Sequence, residues 1–143
     1  EPPVSRLVLD NRRCRFEPHV SVLTVGSTIE AVNGDPTYHS VHLYGLKQLN
    51  VSLHTSKSRL IELPKRPGFL IVKCDVHGWM QAYIRVDDHP FHAVTDARGN
   101  FRIDGVPQGT YTLELWHERL GPMEQKVTIP EPGHASIDIE YSP

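Results

Sequence analysis

Cysteine, methionine and tryptophan each occur only twice in these 143 residues. Two cysteines cannot build a disulfide-dense scaffold; in an oxidising compartment they suggest one bridge, Cys14–Cys74, unless chemistry claims one of them. No apolar run approaches the roughly 20 residues of a membrane-spanning helix, which implies a chain without a transmembrane segment. No stretch sustains a helical period either. The net charge of −2 lacks the basic excess that nucleic acid or an anionic membrane would ask for. No Ser/His/Asp elbow, phosphate loop or nucleotide fingerprint is present, so common hydrolase and nucleotide chemistries have no foothold. A start at Glu1-Pro2-Pro3 without Met suggests a processed or trimmed chain, and nine histidines with many short strands suit an exported protein, periplasmic or secreted.

What is present is period two almost everywhere. Strands are expected at residues 4–9, 19–25, 28–32 and 39–44, with Asn33-Gly34-Asp35-Pro36 as a strong turn signal. Residues 45–65 are polar and mixed in charge, and read as a loop with one irregular strand or a short helical turn. Pro67-Gly68 opens a further strand, and 81–86 alternates again. Beyond Asp87 the pattern becomes a run of hairpins: 93–95 and 101–103 flank Asp96-Ala97-Arg98-Gly99-Asn100, then come 111–116, a strand around Val127 and Ile129, and 135–141. Short strands at such spacing predict an all-β antiparallel sandwich. Charge shifts at the same place: residues 1–87 carry 11 basic and 8 acidic side chains, residues 88–143 carry 4 and 9. Two segments follow, 1–87 and 88–143, the second small for a core of its own.

The densest chemistry lies in Lys73-Cys74-Asp75-Val76-His77-Gly78-Trp79-Met80. The spacing C-x2-H-x2-M offers a thiolate, an imidazole and a thioether from one loop between two strands. Soft sulfur with imidazole selects copper, and two His, one Cys and a weak axial Met describe an electron-transfer site. The missing imidazole is expected from Tyr38-His39-Ser40-Val41-His42-Leu43. His39 shares a face with Val41 and Leu43 and should point inward; His42 shares one with Ser40 and Tyr44 and should point outward. Against this stands the plainer reading of His39 as a buried histidine satisfied by a backbone group.

With Val25-Gly26-Ser27-Thr28-Ile29, Asn33, Asp35, His39-Ser40-Val41-His42, Pro67-Gly68 and Cys74–Met80 in order, residues 14–87 resemble the cupredoxins, the amicyanin- and plastocyanin-like blue copper proteins. The resemblance implies a Greek-key β-sandwich holding one type 1 copper through His39, Cys74, His77 and Met80. It also implies a one-electron carrier, not an enzyme, with a cytochrome c or a dehydrogenase as redox partner. The chain departs from the pattern at Asp75, where the family has a small hydroxyl residue, and at Gly78-Trp79, which replaces a Pro-aromatic pair. Ser40, Asp75 and Trp79 are candidates for the shell around the metal. The stretch Val94-Thr95-Asp96, Gly99 to Ile103 and Val106 to Leu113 resembles a carboxypeptidase regulatory-like module, a transthyretin-like β-sandwich, implying a small C-terminal extension packed on the first body.

Cys14 keeps two readings, disulfide partner or extra ligand. His19 and His42 are candidates for a second, weaker copper site, His89 and His92 for a metal role at the junction, and His117 for packing between the segments; His54 and His134 read as surface residues. No His-x-His pair occurs, which argues against a multicopper oxidase. A copper-delivery protein would want more methionines, and a purely structural module follows if the cysteines pair.

Overall fold

The alternation seen in the sequence forms two mixed sheets in the computed structural model, which describes residues 4–131 and 135–141. Among the described residues no helix is long and apolar enough to cross a membrane. The chain divides into two compact units, Glu1–Arg102 and Ile103–Pro143.

The first unit holds β1 (Arg6–Arg12), β2 (Arg15–Glu17), β3 (Val20–Thr24), β4 (Thr28–Asn33), β5 (His39–Gly45), β6 (Leu49–Leu53), β7 (Ser58–Glu62), β8 (Gly68–Lys73) and β9 (Gln81–Asp87). One sheet runs β2-β1-β4-β7 and the other β3-β9-β8-β5-β6. Each contains one parallel pair, β1 with β4 and β3 with β9. The inward sets are those the period dictates: Ile29 and Ala31 on β4, Val41 and Leu43 on β5, Leu70 and Val72 on β8, Ala82, Ile84 and Val86 on β9. Side chains from both sheets join in one buried cluster, so the unit is an all-β sandwich.

Residues 45–65 are more ordered than their composition suggests. They form β6 and β7, one edge strand of each sheet. On β7 only Ile61 is buried, so an edge strand with one buried residue left no period to read.

The second unit is plainer than the sandwich the resemblance implied. Among its described residues it has β10 (Gly109–His117) and β11 (Gly121–Ile129), a single antiparallel hairpin. Residues 93–95, 101–103 and 135–141 carry no strand. In 135–141 burial still alternates, with Ile137, Ile139 and Tyr141 half-buried, although the segment joins no sheet among the described residues. Every buried apolar side chain among the described residues belongs to the first unit.

Candidate metal centre

Strand parity delivers two donors to one end of the sandwich. Leu70, Val72 and Cys74 share a parity, and Cys74, one residue past the end of β8, continues the inward row at 3% exposure. His39 opens β5 on its inward face, fully buried, as periodicity predicted. The connection from β8 to β9 folds His77 back, and the Met80 amide closes the turn on the His77 carbonyl at 3.0 Å. Met80 itself is buried in the core beside the start of β9.

His39 Nδ1 and His77 Nδ1 stand 3.1 Å apart, and Cys74 Sγ lies 3.9 and 3.7 Å from them. Metal–nitrogen lengths of about 2.0–2.1 Å and a metal–sulfur length of about 2.3 Å, as at zinc, meeting at a tetrahedral angle, set N···N at about 3.3 Å and S···N at about 3.6 Å. The three donors therefore fit one ion, and sulfur with two imidazoles suits copper.

The surroundings hold these donors in the required state. Burial works against ionising Cys74, but the Ser40 amide (3.4 Å), His39 and His77 outweigh it and bring the thiol down to about 6. Ser40 Oγ also donates to the sulfur at 3.9 Å and accepts from the Asp75 amide at 2.8 Å. His39 Nε2 donates to Asp35 Oδ2 at 2.7 Å, which leaves the Nδ1 lone pair for the centre. Asp35 is buried; desolvation raises its carboxyl, yet the Cys14 and Arg13 amides and His39 together hold it below the ordinary range.

Of the expected surrounding residues, Ser40 touches the thiol directly. Asp75 turns elsewhere: its oxygens meet His42 Nδ1 at 3.0 Å and Asn50 Nδ2 at 2.7 Å, and these two partners keep it ionised. The Trp79 ring, 68% exposed, stands 5.1 Å from the His77 ring. Cys14 is half-buried and its sulfur, with nitrogens of His39 and His77, forms a group whose atoms all lie within 4.8 Å of one another. Both cysteines are free thiols, not the disulfide that the sequence left open. Sequence reasoning read Asp35 only as part of a turn and a motif; the signal it passed over was a carboxylate four residues before an inward histidine.

The other histidines divide. His19 and His42 are not brought together: β9 and β8 lie between them, three strand spacings or about 14 Å. His19 Nδ1 bonds the Gln81 carbonyl, and His42 is stacked on Tyr44. His89 and His92 do converge with Asp87 at the far end of β9. There Asp87 already meets Arg85 Nε at 2.7 Å and His92 Nδ1 at 3.0 Å, one partner for each oxygen. His117 accepts the Arg119 and Leu120 amides and so caps the turn between β10 and β11. His54 is exposed beside Tyr38, and His134 lies outside the described residues.

A Cys74/His39/His77 cluster at one end of a β-sandwich, with Met80 at the end of the same loop, gives a cupredoxin-like fold with a site resembling type 1 copper. Solved structures share that fold. A copper-containing nitrite reductase from Thermus scotoductus SA-01 aligns at 24% identity with a TM-score of 0.52, over 56% of this chain and 22% of that one. Reduced and oxidised amicyanin variants each align at 20% identity and TM-score 0.50, over 57% of this chain and 81% of theirs. This chain thus spans under a quarter of the nitrite reductase, and at these identities the likeness is one of fold. No curated protein matches the chain. The family described as polysaccharide lyase family 4, domain II, matches residues 65–136, just over half of the sequence, and the chain belongs to that family.

Proposed function

We propose that this protein is a type 1 (blue) copper protein that carries single electrons between redox partners. The observation that carries the reading is the approach of the two Nδ1 atoms to 3.1 Å, with the Cys74 sulfur within 3.9 Å of both. Copper bound there would supply the one-electron Cu(II)/Cu(I) couple. His39, Cys74 and His77 would hold it, with Met80 sulfur as a weaker donor.

The chain's own groups do the rest. Asp35 fixes the His39 ring, and the Ser40 N–H steadies the thiolate charge. Burial of His39, Cys74 and Met80 keeps bulk water from the donors, so little rearranges when the charge changes. His77 is only half-buried, and Val76 (54% exposed) and Trp79 (68%) present an apolar rim beside it. That rim is the place for a redox partner, by resemblance a cytochrome c or a dehydrogenase. The reading includes a periplasmic or secreted location, a carrier and not an enzyme, and a division of labour in which 1–87 binds copper and 88–143 is an accessory segment.

The test is the visible absorption spectrum of the freshly reduced protein after one equivalent of Cu(II), with Cys74→Ser beside it. An intense sulfur-to-copper charge-transfer band that is lost or shifted in the variant is expected. A parent that binds no copper, or whose band is the same with and without Cys74, would sink the reading.

A further inference from the structure

A second thiol faces the same two imidazoles as Cys74, and its placement is over-determined. Cys14 sits at the tip of the β1–β2 hairpin, between the paired residues Arg12 and Arg15. Both tip residues, Arg13 and Cys14, have φ of +53°. A two-residue turn with both φ values positive is ordinarily given to Asn and Gly, and neither arginine nor cysteine suits it. Three contacts from elsewhere in the unit hold it. Asp35 Oδ1 accepts the Arg13 amide at 2.6 Å and Asp35 Oδ2 the Cys14 amide at 2.8 Å. The Trp79 indole N–H donates to the Cys14 carbonyl at 3.0 Å.

Those contacts tie the tip to both halves of the metal centre. Asp35 Oδ2, which takes the Cys14 amide, also takes Nε2 of His39. Trp79 belongs to the same loop as His77 and Met80. The outcome is that Cys14 sulfur and one nitrogen each of His39 and His77 are all within 4.8 Å of one another. We propose that Cys14 is a second thiolate donor to the copper, so that the centre is built from two thiolates and two imidazoles, with Met80 relegated to a weaker contact. This rests on the copper reading above. Each thiol gives its proton to solvent on binding. Two soft thiolates favour Cu(I), so the second sulfur strengthens binding of the reduced ion most. Arg13 and Arg15 flank Cys14 in the chain as positive neighbours for the added charge.

The experiment compares the full chain with Cys14→Ser and Cys14→Asn, Asn being a residue that accepts the left-handed conformation of the tip without a thiol. Cu(I) affinity is read by competition with a chromophoric Cu(I) chelator. Outer-shell changes alone cost 10–100-fold in metal affinity, so losing a donor should weaken Cu(I) binding by about 100-fold or more in both variants. In Cys74→Ser, one equivalent of Cu(I) should protect the remaining thiol from alkylation. Binding of Cu(II) to Cys14→Asn should give a charge-transfer spectrum different from the parent's. If both Cys14 variants bind Cu(I) within about threefold of the parent, and Cys14 stays alkylatable in loaded Cys74→Ser, this proposal is overturned while the copper reading stands. If the parent itself takes up no copper, both fall.

Discussion

Asp35 ties the hairpin tip to the histidine of the centre. One buried carboxylate accepts the amides of Arg13 and Cys14 and the Nε2–H of His39. Because a carboxylate only accepts, all three donors are satisfied at once; an amide in its place would turn one donor against an NH2 group. Asp35→Asn should therefore cost about 1–3 kcal/mol of stability in the metal-free protein at neutral pH, measured by urea unfolding. The sign of the pH dependence follows from the depressed carboxyl. A lowered folded pKa contributes stability that is complete above the unfolded carboxylate value and is lost as pH falls through the folded one. The gap between Asp35→Asn and the parent should thus be widest at neutral pH and close below the ordinary carboxylate range. A variant that unfolds at the parent's urea concentration throughout would mean the carboxylate clamp carries no energy.

Elements were legible where one face is buried and opaque where it is not. His39, Val41 and Leu43 announce β5 by alternation, and the apolar run Phe69-Leu70-Ile71-Val72 announces β8, each a strand that lies between two others. The same parity put His39 inward and His42 outward, and the burial of β5 agrees. β6 and β7 lie at sheet edges, and β7 buries Ile61 alone, so their order comes from pairing partners that the local sequence does not contain. The approach of Cys14 is likewise a tertiary fact, since it joins a hairpin tip to residues more than 20 positions away. Gly45 separates scaffold from site. It ends β5 at φ +98°, and a Cβ there would collide with the Phe69 carbonyl. That carbonyl accepts the Leu46 amide at 2.8 Å, so it has little room to move. Forcing a side chain into such a conformation costs about 1–3 kcal/mol before any clash. Gly45 stands six residues, about 20 Å along the strand, from His39. Gly45→Ala should therefore lower the urea midpoint while leaving the copper charge-transfer band at the parent's energy; a shifted band would show that β5 transmits strain to the donors.

At the scale of the whole molecule two divisions of the chain compete. The family match runs from 65 to 136 and so crosses from β8 through β11, while compactness separates Glu1–Arg102 from Ile103–Pro143. Among the described residues, the buried apolar side chains and the proposed donors Cys14, His39, Cys74, His77 and Met80 all fall in the first unit. Among its described residues the second offers one hairpin, and a two-stranded hairpin by itself is marginally stable at best in water. The asymmetry makes a direct forecast. A chain ending at Arg102 should fold cooperatively, take up one copper and show the full-length spectrum, because every proposed donor and every described buried apolar side chain is kept. Retention of the band with a small change in unfolding midpoint is the expected result, by absorption and urea titration on matched samples. If the shortened chain is unfolded or colourless while the full chain is coloured, then 103–143 supports the donors. In that case the span matched by the family, not the compact unit, is the body that folds.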